Sequence, residues 1–237
     1  MADEYPEITL QVLERFPHAL DELGLYSSEI IEETSIYSFS FEQHISKRLK
    51  QSFDSYGSDK GHHEYHLIYG QILSQLGSTS SLNILEIGLG TNNPNLISNM
   101  SIHGKPGASL RAFRDTISNA YVFGADIDKD ILFTEPYIQT AWVDQLKPES
   151  FRTMNQEFGN PTYDLIIDDG LHAISANLNT LLFGLTVLNK GGWIVIEDIP
   201  IYARVFWNTV NRLLPSAKFD KYMIKCKGPH VFALCKK

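Results

Sequence analysis

Apolar positions along the chain fall into two alternating patterns. Short continuous runs occur at Ile84–Ile87, Tyr121–Ala125, Ile138–Val143, Tyr163–Ile167 and Trp193–Ile196. Runs of this kind, bounded by turn residues, predict strands buried on both faces of a parallel sheet. Between them apolar residues recur at helical spacing. Leu110 and Phe113 mark a helix over about 109–116, and further helices are expected near 148–158 and 202–213. Ile174, Leu178, Leu181, Leu182 and Leu185 mark one over about 174–188, which Asn189-Lys190-Gly191-Gly192 is expected to stop. Two last strands, 219–226 and 230–236, are joined by Gly228-Pro229. The alternation predicts a doubly wound α/β fold, with a mostly parallel, seven-stranded sheet and a C-terminal antiparallel hairpin.

The chain upstream of Leu82 reads differently. Ile8, Leu10, Val12, Leu13 and Phe16 are spaced for a helix, but Pro17 and Gly24 interrupt the pattern, so short helices or turns are expected. Ile36–Phe41 reads as a short strand or an extended linker. Gly57–Gly61 is a polar turn before a helix over about 62–76, striped by Leu67, Ile68, Ile72 and Leu76, with Tyr65 and Tyr69 on a shared face. The division expected is an N-terminal helical cap, 1–79, and an α/β domain, 80–237. Residues 1–50 read as a cap on the core or as a contact between copies in a homo-oligomer.

Charge and composition narrow the function. The formal net charge of −8 argues against a general nucleic-acid binder. No apolar run reaches the length of a membrane span, and Met-Ala-Asp-Glu-Tyr-Pro lacks the basic and apolar regions of a signal peptide. A cytoplasmic protein is expected, with Cys226 and Cys235 as free thiols.

The candidate chemistry lies at the ends of the strands, where doubly wound sheets bind ligands. Glu86-Ile87-Gly88-Leu89-Gly90 closes the first run. Its glycines permit a sharp turn and let a ligand approach the backbone. A dinucleotide turn, G-x-G-x-x-G, fails at Asn93, which disfavours a nicotinamide dehydrogenase. Glu86 sits in a strand that is otherwise apolar and is expected to hold a donor. Asp126 ends the next strand, where an acidic residue accepts ribose hydroxyls. The long connection 91–120 delays it to 36 residues after Gly90, and long ordered loops are commonly functional. Asp144 and Gln145 are placed to meet an adenine edge. Asp168, Asp169, Glu197 and Asp198 converge if their strands are neighbours, and no basic residue lies beside either motif in sequence. Such repulsion calls for an offset, and a hard divalent cation fits oxygen ligands. His172, three positions beyond Asp169, is a candidate general base.

Glu86-x-Gly88-x-Gly90 resembles motif I of the class I S-adenosylmethionine methyltransferases, and the strand order resembles theirs over about 80–237. Asp168-Asp169-Gly170-Leu171-His172 and Gly191-Gly192-Trp193-Ile194-Val195-Ile196-Glu197-Asp198 resemble the metal and base motifs of the macrolide sugar O-methyltransferases of the mycinamicin and macrocin types. Ser58-Asp59-Lys60-Gly61 with His63-x-Tyr65, and Gly107-Ala108-Ser109-Leu110-Arg111, also match patterns of that group. The resemblance implies methyl transfer from S-adenosylmethionine to a sugar hydroxyl, with Mg²⁺ or Mn²⁺ held by Asp169, Glu197 and Asp198 and His172 as base. On the cofactor side it implies Lys60, His63, Tyr65, Glu86, Gly88, Gly90, Asn92, Ser109, Asp126, Asp144, Gln145 and Asp168. The chain is much shorter than the longer macrolide enzymes. A saccharide of a surface polysaccharide or of another glycosylated metabolite is therefore as good an acceptor as a macrolide. The alternatives are a catechol-type metal-dependent enzyme, which usually uses a lysine base, and a non-catalytic assembly subunit of the same fold.

Overall fold

The computed structural model describes residues 33–39, 43–77 and 81–237; the expectation of short helices or turns from Ile8 through Gly24 lies outside them. The strands are β1 (Glu33–Ser35), β2 (Asn83–Ile87), β3 (Tyr121–Asp126), β4 (Thr134–Glu135), β5 (Ile138–Trp142), β6 (Tyr163–Asp168), β7 (Leu188–Ile199), β8 (Phe219–Lys225) and β9 (His230–Lys236). The α-helices are α1 (Gln43–Tyr56), α2 (His66–Leu76), α3 (Ala108–Thr116), α4 (Pro148–Glu157), α5 (Ile174–Val187) and α6 (Arg204–Leu213).

The strands form one sheet ordered β1-β8-β9-β7-β6-β2-β3-β5-β4. Strands β7, β6, β2, β3 and β5 run parallel, and β9 enters antiparallel between β7 and β8. The chain moves outward from β2 in one direction through β3 and β5, and in the other through β6 and β7. The switch point, where such sheets bind ligands, is therefore at the ends of β2 and β6.

Side chains of the central strands alternate between two cores. Ile84, Leu165 and Ile167 face a layer built by Leu49 and Phe53 of α1, Tyr69 and Ile72 of α2 and Phe113 of α3. Leu85, Ile87 and Ile166 face Phe151 and Met154 of α4, Leu181 of α5 and Trp207 of α6. Because both faces are covered, the strands are continuous apolar runs.

Among the described residues the sheet has nine strands, two more than the seven expected. β1 pairs with β8, and β4 pairs with β5. Both are too short to show a period. Instead of a strand, Ile36–Phe39 is a 3-10 turn, and α2 begins at His66 rather than 62 because Asp59–Gly61 forms its own 3-10 turn. Asn189–Gly192 does not cap α5. The helix closes on Leu188, which is extended, and the Asn-Lys-Gly-Gly stretch is the first part of β7. Among the described residues no helix is long and apolar enough to cross a membrane.

Candidate active site

The turn after β2 is shaped by its neighbours. Gly88 has φ +97°, and a Cβ there would lie 2.1 Å from the Asp169 carbonyl oxygen. Gly88 lets the β2 turn nest against the β6 turn, where Asp169 N donates to Ile87 O at 2.8 Å. Gly90, at φ +81°, would bring a Cβ only to 3.2 Å from Met100 Cγ. Asp126, buried mainly by its surroundings and raised in pKa for that reason, accepts from Leu89 N at 2.7 Å and Asp128 N at 2.8 Å. Its carboxylate fixes the glycine turn.

These turns open on a cavity of about 580 Å³, within the range of small-molecule sites. Of the expected residues, Lys60, Gly88, Gly90, Ser109, Asp126, Asp144, Gln145, Asp169, His172 and Asp198 line it. His63, Tyr65, Glu86, Asn92, Asp168 and Glu197 are not in its wall. Most of these six have clear structural partners. Asn92 Nδ2 donates to Ser101 O and Gly104 O, closing the loop after the turn. Fully buried Asp168 accepts from Gln145 Nε2 at 2.9 Å and Asn177 Nδ2 at 3.1 Å. Gln145 also donates to Thr180 and accepts from Leu171 N at 2.7 Å, so its amide is committed to holding the β6 turn. Asp144 pairs with Lys147 at 2.9 Å. His63 stacks on Tyr65 at 5.6 Å between ring centroids.

The acidic cluster differs most from the sequence reading. Lys60, only 1% exposed, places its ammonium 2.5 Å from Glu197 Oε2, 2.6 Å from Asp169 Oδ2 and 3.1 Å from Glu86 Oε1. The reading that the carboxylates lack a basic partner is thereby corrected: the partner comes from 109 residues away in the chain. Burial alone would lower the Lys60 pKa, but Asp169, Glu197 and Glu86 outweigh it and hold the ammonium charged. Burial pushes the Glu86, Asp169 and Glu197 carboxyls up, with Lys60 opposing. Ser109 Oγ donates to Glu86 Oε2 at 2.5 Å. Tyr69 OH donates to Glu197 Oε1, and Tyr65 OH donates to Asp198 Oδ1 at 2.5 Å. Tyr69 was absent from the sequence candidates, although its spacing from Tyr65 carried the signal.

Facing the cavity, Asp169, His172 and Asp198 each offer a ligand atom, and these atoms all lie within 4.8 Å of one another. His172 Nε2 is 3.8 Å from Asp198 Oδ2, while His172 Nδ1 is buried without a hydrogen bond. His172 and Asp198 both have left-handed backbone, φ +55° and +53°, a conformation that costs energy and gathers at functional sites. Asp169 and Asp198 are part-exposed and keep an oxygen toward the cavity. Glu197, 1% exposed, has both oxygens engaged behind them. With one ammonium among Glu86, Asp169, Glu197 and Asp198, the ionised cluster remains negative. The donor set therefore fits a hard divalent cation at Asp169 and Asp198.

No family model matches the chain. Over 80% of its length it superposes, with TM-score 0.62 and 19% identity, on 53% of the MycE methyltransferase of the mycinamycin biosynthetic pathway, a structure in complex with Mg, S-adenosylhomocysteine and mycinamycin VI. The fold is that of the class I methyltransferases. In sequence, this methyltransferase-fold chain is 33% identical over 146 residues to the 8-demethyl-8-alpha-L-rhamnosyl tetracenomycin-C 2'-O-methyltransferase of Streptomyces olivaceus, 61% of this chain and 35% of that protein. It is 32% identical over 139 residues to the L-olivosyl-oleandolide 3-O-methyltransferase of Streptomyces antibioticus, 58% of this chain and 31% of that protein. The chain thus spans about a third of the length of these curated relatives.

Proposed function

We propose that the protein transfers a methyl group from S-adenosylmethionine to a sugar hydroxyl of a glycosylated small molecule, with Mg²⁺ at Asp169 and Asp198. The observation that carries this reading is a single cavity whose wall joins the glycine turn, Asp126, Ile127, Val143 and Leu146 to the group of Asp169, His172 and Asp198. The names of the sequence relatives, both sugar O-methyltransferases, support the acceptor class.

Each residue then has a physical task. The glycine turn and Asp126 bind the nucleoside and ribose of the donor, and Ile127, Val143 and Leu146 exclude water from it. Asp169 and Asp198 would hold the cation, which when bound would supply Lewis-acid activation of the acceptor. His172 accepts the hydroxyl proton at Nε2, and the imidazolium so formed faces the Asp198 carboxylate. A shared cavity would let the protein align acceptor oxygen, methyl carbon and sulfur, and such positioning would supply most of the rate.

A catechol-type enzyme usually uses a lysine base. Lys60 is at the site, but three carboxylates hold it protonated, so it is unfit for that task. The discriminating variant is His172→Ala. Loss of the base lowers kcat by about 10²- to 10⁴-fold and leaves S-adenosylhomocysteine and Mn²⁺ affinities unchanged in calorimetry. A near wild-type kcat would remove His172 from the proton transfer. A loss of Mn²⁺ affinity would make it a third ligand instead.

A further inference from the structure

Two lysines stand in the cavity wall, Lys60 and Lys105. Lys60 is bonded to carboxylates, whereas the Lys105 ammonium has no ion pair or hydrogen bond among the described residues. The other charged groups of the wall are mostly acidic: Asp59, Asp126, Asp144, Asp169 and Asp198. Lys105 lies in the connection between β2 and α3, two residues before Gly107, whose N donates to Leu89 O at 2.8 Å. That bond holds the Lys105 backbone close to the glycine turn. Its side chain crosses the end of α1, where a Cβ at Gly57 would lie 2.9 Å from Lys105 Cδ and 3.0 Å from Nζ. It does not cap that helix. Gly57 N and Ser58 N close the helix on Phe53 O, both at 2.9 Å, and the ammonium bonds none of its carbonyls.

We propose that Lys105 binds the carboxylate on the amino-acid part of S-adenosylmethionine. The inference rests on the donor proposed above. With the ribose at Asp126, the rest of the donor lies along the glycine turn, and Lys105 is held beside that turn. The turn has little to offer an anion itself. Gly88 N already donates to Ala125 O at 2.8 Å, and Leu89 N to Asp126 Oδ2 at 2.7 Å. A carboxylate entering a wall of aspartates is repelled unless a cation meets it. Lys60 is taken, so Lys105 is the lysine left to do so. Its stem can lie along Gly57 while the exposed ammonium stays mobile enough to reach a ligand. Lys105 thus selects a donor by its carboxylate and leaves the adenosine part to other residues.

The test measures binding of three ligands by calorimetry to wild type, Lys105→Met and Lys105→Arg. The ligands are S-adenosylhomocysteine, its analogue lacking only the carboxylate, and 5′-methylthioadenosine, which lacks the whole amino-acid part. Lys105→Met keeps the stem and removes the charge. It is expected to weaken S-adenosylhomocysteine on the order of tenfold, the low end for a hydrogen bond to a charged group because the lysine is exposed. The other two ligands are expected to bind within about threefold of wild type, since neither offers the lysine a partner. Lys105→Arg keeps the charge and is expected to stay within about threefold of wild type for all three. Wild type that binds S-adenosylhomocysteine no more tightly than Lys105→Met does overturns the role of Lys105 and leaves the proposed donor standing. Equal weakening of all three ligands in Lys105→Met overturns it as well, because the lysine would then support the loop rather than meet a carboxylate. Wild type that binds none of the three counts against the proposed donor, and the role of Lys105 falls with it.

Discussion

Gly88 and Gly90 look alike in sequence and differ in what surrounds them. Both have positive φ, so alanine at either costs about 1 kcal/mol or more in backbone strain. At Gly88 the added Cβ also meets backbone, the Asp169 carbonyl at 2.1 Å, whereas at Gly90 it meets the flexible end of Met100 at 3.2 Å. Gly88→Ala is therefore expected to lose about 2–4 kcal/mol in urea unfolding and to weaken Mn²⁺ binding, because the strand turn that carries Asp169 must move. Gly90→Ala is expected to lose about 1 kcal/mol with little change in Mn²⁺ affinity. Equal effects in the two variants would contradict the nesting of the β2 and β6 turns. The glycines themselves were legible in the sequence, but the partner of Gly88 was not, because contact between parallel strand ends depends on strand order rather than on local pattern.

At the scale of elements, α2 is the support of the acidic cluster. It carries Tyr69 and is preceded by Tyr65, and it crosses α1 closely at Gly70, where a Cβ would lie 2.0 Å from Ser46 Oγ and 3.0 Å from Ser46 Cα. Alanine at Gly70 gains about 1 kcal/mol of helix propensity and costs about 1–3 kcal/mol in overpacking. Since backbone is among the atoms met, the net change is expected to be destabilising in urea unfolding. A Gly70→Ala variant that is more stable than wild type would mean that the helices separate without cost. The helical stripe of α2 and the five central strands were readable from period alone. The pairing of Lys60 with Asp169 and Glu197 was not, because buried ion pairs across 109 and 137 residues of sequence have no periodic signature. β1 and β4 escaped for a simpler reason, their length of three and two residues.

For the whole molecule, protonation couples to stability in two opposing ways. Burial lowers the pKa of His66 and His230, with Lys50 adding to this at His66 and Glu33 opposing it at His230. Their contribution is complete above the unfolded value, about 6.5, and is lost as pH falls through the lower folded value. Glu86, Asp169 and Glu197 are raised by burial, so theirs is present below the unfolded value and lost as pH rises. The readable quantity is the difference between proteins. His66→Gln is expected to flatten the drop in Tm between pH 7 and pH 5 relative to wild type. Parallel Tm profiles would mean that His66 does not stay neutral in the fold.

The cavity shared by the glycine turn and the Asp169, His172 and Asp198 group carries the proposed chemistry. The most direct measurement follows labelled methyl from S-adenosylmethionine into a panel of glycosides and their aglycones, with EDTA and with Mg²⁺ restored. Label is expected in at least one glycoside and in no aglycone, lost with EDTA and regained with Mg²⁺. Label transferred at full rate in exhaustively chelated protein, or into an aglycone rather than its sugar, would contradict cation-dependent methylation of a sugar.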